Sequence, residues 1–426
     1  MAFRDIRRSR KWLSVEEIRL LLLALILLVG LLALNIYLAR TLPGGEQFFL
    51  RWSGARTFLL DKLQREPGEP YSATVAERTQ NVAYGRQAFG SEYPYALSDP
   101  FYITLLYIPL ALFSDFAIVR GVWMLLSELI LIGVLYSFIR SLEWEPPTWL
   151  YILLLAFGVF GYYSLVAFRS GTPAIAMLFL ILSILYALRS FSDEVAGALL
   201  FLIAYQWEVS ALFFLFVIVF VFANRRWRVL SGFGMVLAVL GAISFLSYPG
   251  WGLPYVRGVL SNWYRSEYLT FGHVMSIWFP HAKFSIGSWV SILLGAVLFL
   301  ETLGSFDAHY RRVAWTVCLS LAAAPLMGGA IFLPNYVVLL PSLILIVMLV
   351  WERWTRQRVW YVLLIILPTF AIPFWLYFQA NTDAPRIYFD LLNILPPIAT
   401  IIGLYWMRWW AFRTPRTWFD QIGDRK

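Results

Sequence analysis

The sequence predicts an all-α polytopic membrane protein, and three observations predict it. Sixty per cent of the 426 residues are hydrophobic and only 14% are charged, far below the roughly 25% charged usage of soluble domains. The apolar residues fall in runs close to the length of about 20 that an α-helical crossing needs. Groups of basic residues recur between those runs, where the positive-inside rule reads orientation.

The runs cover residues 18–39, 100–114, 117–139, 148–167, 172–188, 195–206, 209–223, 229–247, 286–303, 313–329, 333–351, 359–379 and 391–410. They amount to about 11–13 membrane segments in a single integral-membrane domain, residues 1–426. Residues 100–114, 195–206 and 209–223 are short for a crossing. Such segments tilt little, thin the bilayer or enter without crossing, and a non-crossing segment must line a cavity or lie within protein to satisfy its backbone.

Arg4, Arg7, Arg8, Arg10 and Lys11 assign the amino end to the cytoplasm, and no small-residue cleavage site follows the first run, which reads as an uncleaved anchor. Arg408, Arg413, Arg416, Arg425 and Lys426 assign the carboxyl end to the same side, as do Arg353, Arg356 and Arg358, the pair Arg311 and Arg312, and Arg225, Arg226 and Arg228. Counting crossings from the two ends gives results that differ by one. A segment from Asp99 to Phe113 that enters the outer leaflet without crossing removes the difference, and so does a miscounted span between residues 140 and 206.

Two loops then face outward, residues 41–99 and 248–285. In the first, Phe48, Trp52, Ala55, Leu59 and Leu63 recur in steps of four and three, with Arg51, Arg56, Asp61 and Lys62 on other faces. That stripe predicts an amphipathic helix lying in the membrane interface, ended by Pro67-Gly68-Glu69-Pro70. A second short helix is expected over residues 72–87. The other loop carries Trp251, Trp263, Tyr264, Tyr268 and Trp278, residue types suited to headgroup level.

Several chemistries find no footing. Cys318 is the only cysteine, so a monomer has no disulfide and no thiolate metal site. His273, His281 and His309 lack ligand spacing, and neither a Walker phosphate loop nor G-x-G-x-x-G occurs. No nucleic-acid partner is expected of a chain whose formal +9 charge sits between apolar runs.

Gly44-Gly45-Glu46, Gly68-Glu69-Pro70-Tyr71 and Asp99-Pro100-Phe101 with Pro109 follow one another along the chain. In that order they resemble the multi-spanning glycosyltransferases of the GT-C class, and most nearly the bacterial polyprenyl-phosphate-dependent mannosyltransferase and arabinofuranosyltransferase family. Fainter similarity extends to Ser170-Gly171-Thr172, residues 197–206, Arg225-Arg226-Trp227-Arg228 and Leu333-Pro334-Asn335-Tyr336. There are departures. The family's acidic turn residue is usually Asp and here is Glu46, its Gly-Gln pair is here Gly171-Thr172, and a Lys-Pro pair suited to donor phosphate is here Gln206-Trp207.

The resemblance implies transfer of a sugar from a polyprenyl-phosphate carrier to a glycolipid or envelope glycan, on the outer face of a bacterial plasma membrane. Such transfer needs a base near the acceptor hydroxyl and cations or backbone donors near the departing phosphate. Glu46 is the candidate base, since two glycines let the backbone turn tightly beside the end of a span. Its bland alternative is a carboxylate at a helix start, worth about 0.3–1 kcal/mol there. Asp99 is a candidate second acid or acceptor-orienting group, against the more ordinary role of helix cap before Pro100.

Arg169 is a candidate for the donor phosphate through its bidentate fork, or else snorkels to headgroups. Arg265, His273 and Lys283, with Arg257, are further phosphate candidates or ordinary loop charges. Glu208 and Gln206 are candidates for a donor pocket. Glu128, inside an apolar run, reads as a structural hydrogen-bond partner, or as a partner of Arg120. Carboxylate oxygens could hold a divalent cation, but no dedicated cluster is present and no other cofactor is called for. Membrane lipids are the remaining expected partners. Two rival functions stay open: a carrier or flippase for lipid-linked saccharides, and a non-catalytic scaffold derived from the enzymes.

Overall fold

The computed structural model describes residues 15–64, 69–90, 92–266, 269–282, 285–306, 308–382 and 386–412. Among them are eighteen α-helices and no strand. The first five are α1 (Val15–Thr41), α2 (Glu46–Gln64), α3 (Ala73–Tyr84), α4 (Phe101–Ala111) and α5 (Phe116–Ser141). A middle group follows: α6 (Thr148–Phe160), α7 (Tyr162–Ser170), α8 (Ala174–Arg189), α9 (Asp193–Ile203), α10 (Trp207–Ala223) and α11 (Trp227–Ser247). The remainder are α12 (Gly252–Ser266), α13 (Phe271–Trp278), α14 (Ile286–Leu303), α15 (Tyr310–Ala323), α16 (Leu340–Arg353), α17 (Arg358–Ala380) and α18 (Ile387–Phe412). A 3₁₀ segment, Leu333–Leu339, leads into α16.

The chain is an integral membrane protein. Every apolar run in the sequence carries helix, and among the described residues seven helices are long and apolar enough to cross a bilayer. The run at 148–167 is broken at Gly161, where α6 and α7 meet at 43°, and the pair makes an eighth crossing if counted as one. The buried core is assembled from α5, α8, α9, α10, α15 and α16, while Leu20–Leu28 of α1 present exposed side chains, as a lipid-facing helix does.

Helices α1 and α5 run antiparallel. Arg40 near the end of α1 pairs with Asp115, the cap of α5, at 3.3 Å, and further along Asn35 Nδ2 donates to Glu128 at 2.9 Å. The start of α5 therefore lies on the same side as the end of α1. Helix α4, 11 residues long, packs along α2, with Phe101 against Phe58 at its start. At about 1.5 Å per residue it reaches roughly 16 Å, half of a hydrocarbon core about 30 Å thick. Its C-terminal carbonyls are met by α2: Trp52 Nε1 donates to Leu110 O at 3.2 Å and Arg56 Nη1 to Ala111 O at 3.0 Å. The shortness of α4 is what the first of the two resolutions of the crossing counts asks for, while the break at Gly161 and the 11 residues of α9 fall in the window of the second.

Helix α2 forms where its periodicity predicts, but its apolar stripe does not lie in lipid. Phe48, Trp52 and Ala55 are buried among Tyr102, Tyr107 and Val119 of α4 and α5, and Phe48 stacks on Trp123 at 5.0 Å between ring centroids. Arg51 and Phe58 are buried as well. Periodicity fixes which face is apolar; here protein rather than acyl chains covers it. The short helix expected over 72–87 is α3. Part of Pro67-Gly68-Glu69-Pro70 and the basic clusters at both chain ends lie outside the described residues.

The segments 41–99 and 248–285 bind each other. Asn262 of α12 accepts from Ala96 N at 3.1 Å and donates to Ala96 O at 2.7 Å and to Ser98 Oγ at 2.9 Å. Gly258, one turn earlier, lies so close to the same strand of chain that a Cβ there would meet Leu97 O at 2.2 Å.

The opposite end of the bundle is a belt of arginines. Arg226 pairs with Asp193, Arg311 with Glu352 at 2.9 Å and Arg408 with Glu301 at 2.7 Å. Arg353 stacks 3.1 Å over the Trp410 ring. Cation–π stacking of this kind contributes about 0.5–2 kcal/mol.

Candidate functional site

The turn between α1 and α2 is built on glycine geometry. Gly44 and Gly45 have φ of +130° and +86°, a region that side chains rarely occupy. A Cβ on Gly44 would lie 2.9 Å from Arg120 Nη2, and one on Gly45 2.8 Å from Arg120 Cδ. The buried Arg120 thereby serves as the floor of the turn. Its Nη1 donates to Leu42 O at 2.8 Å and its Nη2 to Arg169 O at 3.0 Å, tying the end of α1 to the end of α7. Arg120 does not pair with Glu128, whose partner is Asn35. Arg169 Nε donates in turn to Pro43 O at 3.0 Å.

Glu46 begins α2 at this turn and lines a cavity of about 600 Å³ together with Arg169 and Arg386. Tyr84 and Tyr95 from the segment between α2 and α4, Val274 of α13 and Asn393 of α18 also face it. Among the described residues Glu46 makes no ion pair. Burial pushes its carboxyl up from the ordinary value, partly offset by its own backbone amide and by Arg169 and Arg120. Arg386 stands 3.6 Å from Asp390, which is also held by Trp278 Nε1 at 3.0 Å.

A second cavity of about 230 Å³ adjoins the first; Gln47, Tyr93, Tyr95 and Phe332 line both. Asp99, Gln206 and Glu208 are brought together here. Asp99 does not cap α4, whose first turn follows Pro100 without a side-chain cap. Its Oδ2 instead lies 2.6 Å from Arg51 Nε, with both side chains buried. Arg51 Nη2 reaches Gln206 Oε1 at 3.4 Å, and Gln206 Nε2 reaches Glu208 Oε2 at 3.4 Å.

The ends that meet here belong to the short runs. α4 begins just after Asp99, α9 ends just before Gln206 and α10 begins at Trp207. α9 has 11 residues, about 16 Å of helix, half of a hydrocarbon core about 30 Å thick. Irregular backbone within that core is tolerated where it borders a cavity or lies within protein.

Tyr95 separates the two cavities. It has φ of +48°, a strained conformation for a bulky residue and one that recurs at functional sites. Its ring packs edge-on against Tyr93 at 5.1 Å, and burial, followed by the charge of Glu46, pushes its phenol up. The tyrosine faces offer an apolar wall with hydroxyls at its edge.

The remaining sequence candidates fall elsewhere. Arg265 and His273 are half-buried on α12 and α13 but do not line either cavity. Lys283 lies outside the described residues. Among the described residues no group of three or more His, Cys, Asp or Glu side chains is placed to hold a metal ion. Sequence reasoning missed Arg51 as the partner of Asp99, and missed Arg386, which had one available signal: an arginine just ahead of a late apolar run, on the side assigned outward.

No family model, no curated protein and no solved structure matches this chain.

Proposed function

We propose that the chain is a membrane glycosyltransferase that moves a sugar from a polyprenyl-phosphate donor to a glycolipid or envelope-glycan hydroxyl on the extracytoplasmic face. The observation that carries this reading is Glu46, a carboxylate without an ion pair among the described residues, on the wall of a cavity of about 600 Å³ that also contains Arg169 and Arg386. A carboxylate whose affinity for protons is raised by burial is suited to accept one from a hydroxyl. Two guanidiniums in the same cavity are suited to a departing phosphate, because each offers a planar fork of donors.

The reading gives each part a role. Glu46 takes the acceptor proton as the sugar's anomeric carbon bonds to the acceptor oxygen. The carbon–oxygen bond to the carrier breaks, and the polyprenyl phosphate leaves with its charge against Arg169 and Arg386. Both chain ends are then cytoplasmic, with the arginine belt on the same side. The smaller cavity, with Gln206 where the resembled family has a lysine, supplies hydrogen-bonding amide and carboxylate groups for sugar hydroxyls.

The test is incubation of purified full-length protein in nanodiscs with labelled polyprenyl-phosphate sugars and an envelope lipid extract. Label moving onto an extracted lipid with the wild type, and not with a normally folded Glu46→Gln variant, is the expected result. Label that crosses the bilayer still attached to its carrier would replace the enzyme with a carrier. Neither event, across a panel of hexosyl and pentosyl donors, would leave the scaffold reading.

A further inference from the structure

A hollow larger than the one at Glu46 is present among the described residues. It lies toward the arginine belt, holds about 1120 Å³ and is bordered by α5, α8 and α9. Its character changes along its length. Ile130 and Gly133 of α5, Phe179 and Leu182 of α8, and Leu199 of α9 make an apolar stretch. Arg140 and Arg189, in the last turns of α5 and α8, stand at its other end with Ser190. From Gly133 to Arg140 is about 10 Å along a helix. At Gly133 the wall is open: a Cβ there would meet nothing within 4 Å, so a larger side chain would extend into the recess.

The two arginines differ in availability. Arg189 is engaged, with Nη1 on Ser141 O at 2.8 Å and Nη2 on Glu143 at 2.6 Å. Arg140 has a carboxylate, Glu145, no nearer than 3.9 Å, and their side chains are 61% and 88% exposed. An ion pair so open to solvent holds its partners weakly, and the other neighbour of the Arg140 guanidinium is the Tyr136 phenol, so among the described residues no buried carboxylate competes with an incoming anion.

We propose that this hollow binds an anionic glycerophospholipid of the surrounding leaflet, with its phosphate diester at Arg140 and an acyl chain along Gly133, Phe179 and Leu199. The gradient from cation to apolar wall matches an amphiphile with a phosphate at one end. Basic pockets between membrane helices have the chemistry that binds anionic lipid headgroups. A second copy of the chain would bring the convex face of a helix to a concave, charged rim, which suits it less well.

The test is native mass spectrometry of the full-length protein, titrated with phosphatidylglycerol and with phosphatidylcholine of the same chains. Wild-type protein should retain phosphatidylglycerol at least fivefold more tightly than phosphatidylcholine. Arg140→Ala should erase most of that preference. Gly133→Leu should weaken retention of both lipids about tenfold while leaving the arginines intact; both sites are exposed, so neither change threatens folding. Equal retention of the two lipids, or loss with Arg140→Ala but not with Gly133→Leu, would overturn the proposal, the latter by reducing it to surface charge. Displacement of phosphatidylglycerol by a lower concentration of polyprenyl monophosphate would overturn the choice of lipid.

Discussion

Glu46 and Asp99 line adjoining cavities at the same end of the bundle, and both were candidate acids from the sequence, yet only Asp99 has a guanidinium against it. The Arg51–Asp99 contact of 2.6 Å is buried on both sides, so Asp99 is a charge already answered. Glu46 is held near Arg169 and Arg120, but both of these donate to backbone carbonyls of the surrounding turn. The difference separates a group whose charge is committed to structure from one left available for chemistry. Proximity to a cavity does not distinguish them; what occupies the opposite charge does.

The comparison breaks first on activity. Glu46→Gln should lower transfer by about 10²–10⁴-fold, the range of a general base, with no loss of protein. Asp99→Asn should instead act on stability. Removing one member of a buried pair leaves the other charge uncompensated, at a cost of about 3–5 kcal/mol, readable as a fall in melting temperature and yield in detergent. The double change Arg51→Met with Asp99→Leu should recover most of that stability, because a buried pair replaced by apolar groups of similar size is often neutral. If Asp99→Asn keeps wild-type stability and loses transfer, the roles of the two acids are exchanged.

A smaller effect is expected at Arg386. Its guanidinium lines the same cavity as Glu46 and is 59% exposed, with Asp390 at 3.6 Å. Hydrogen bonds to a charged group are worth about 1.5–3 kcal/mol, so Arg386→Ala should raise the donor KM about tenfold or more. A kcat that stays near wild type would mark the interaction as present equally in the bound and transition states. An unchanged KM would remove Arg386 from the site.

Much of the fold was legible because membrane solvation writes it into composition: each apolar run carries helix. The positive φ at Gly44 and Gly45 was legible in the same way, since a glycine pair beside a span signals a tight turn. What α2 packs against was not. Phe48 and Trp52 give the same periodicity whether lipid or α4 covers them, and Arg51 looks like a solvated face until a loop 48 residues away brings Asp99 to it. The three short runs carried more than was read from them. Their ends, at Asp99, Gln206 and Trp207, converge on one cavity, and a common shortness is the only trace of that convergence in the sequence.

The smallest effect sharpens the contrast through pH. Burial raises the Glu46 carboxyl above its ordinary value, so in the folded protein it holds its proton to a higher pH than in the unfolded chain. The linkage then has a fixed sign: relative stability is greatest below the unfolded value of about 4.5 and declines as pH rises through the folded one. Glu46→Gln cannot ionise and escapes that decline. The variant should therefore melt at a higher temperature than wild type at neutral pH, with the gap closing as the solution is acidified below the ordinary carboxylate range. Transfer by the wild type should fall over the same acid limb, as the base takes up its proton. A variant that melts below wild type at neutral pH would mean that the carboxylate stabilises the start of α2 more than its burial destabilises it, and Glu46 would then stand with Asp99 as a structural charge.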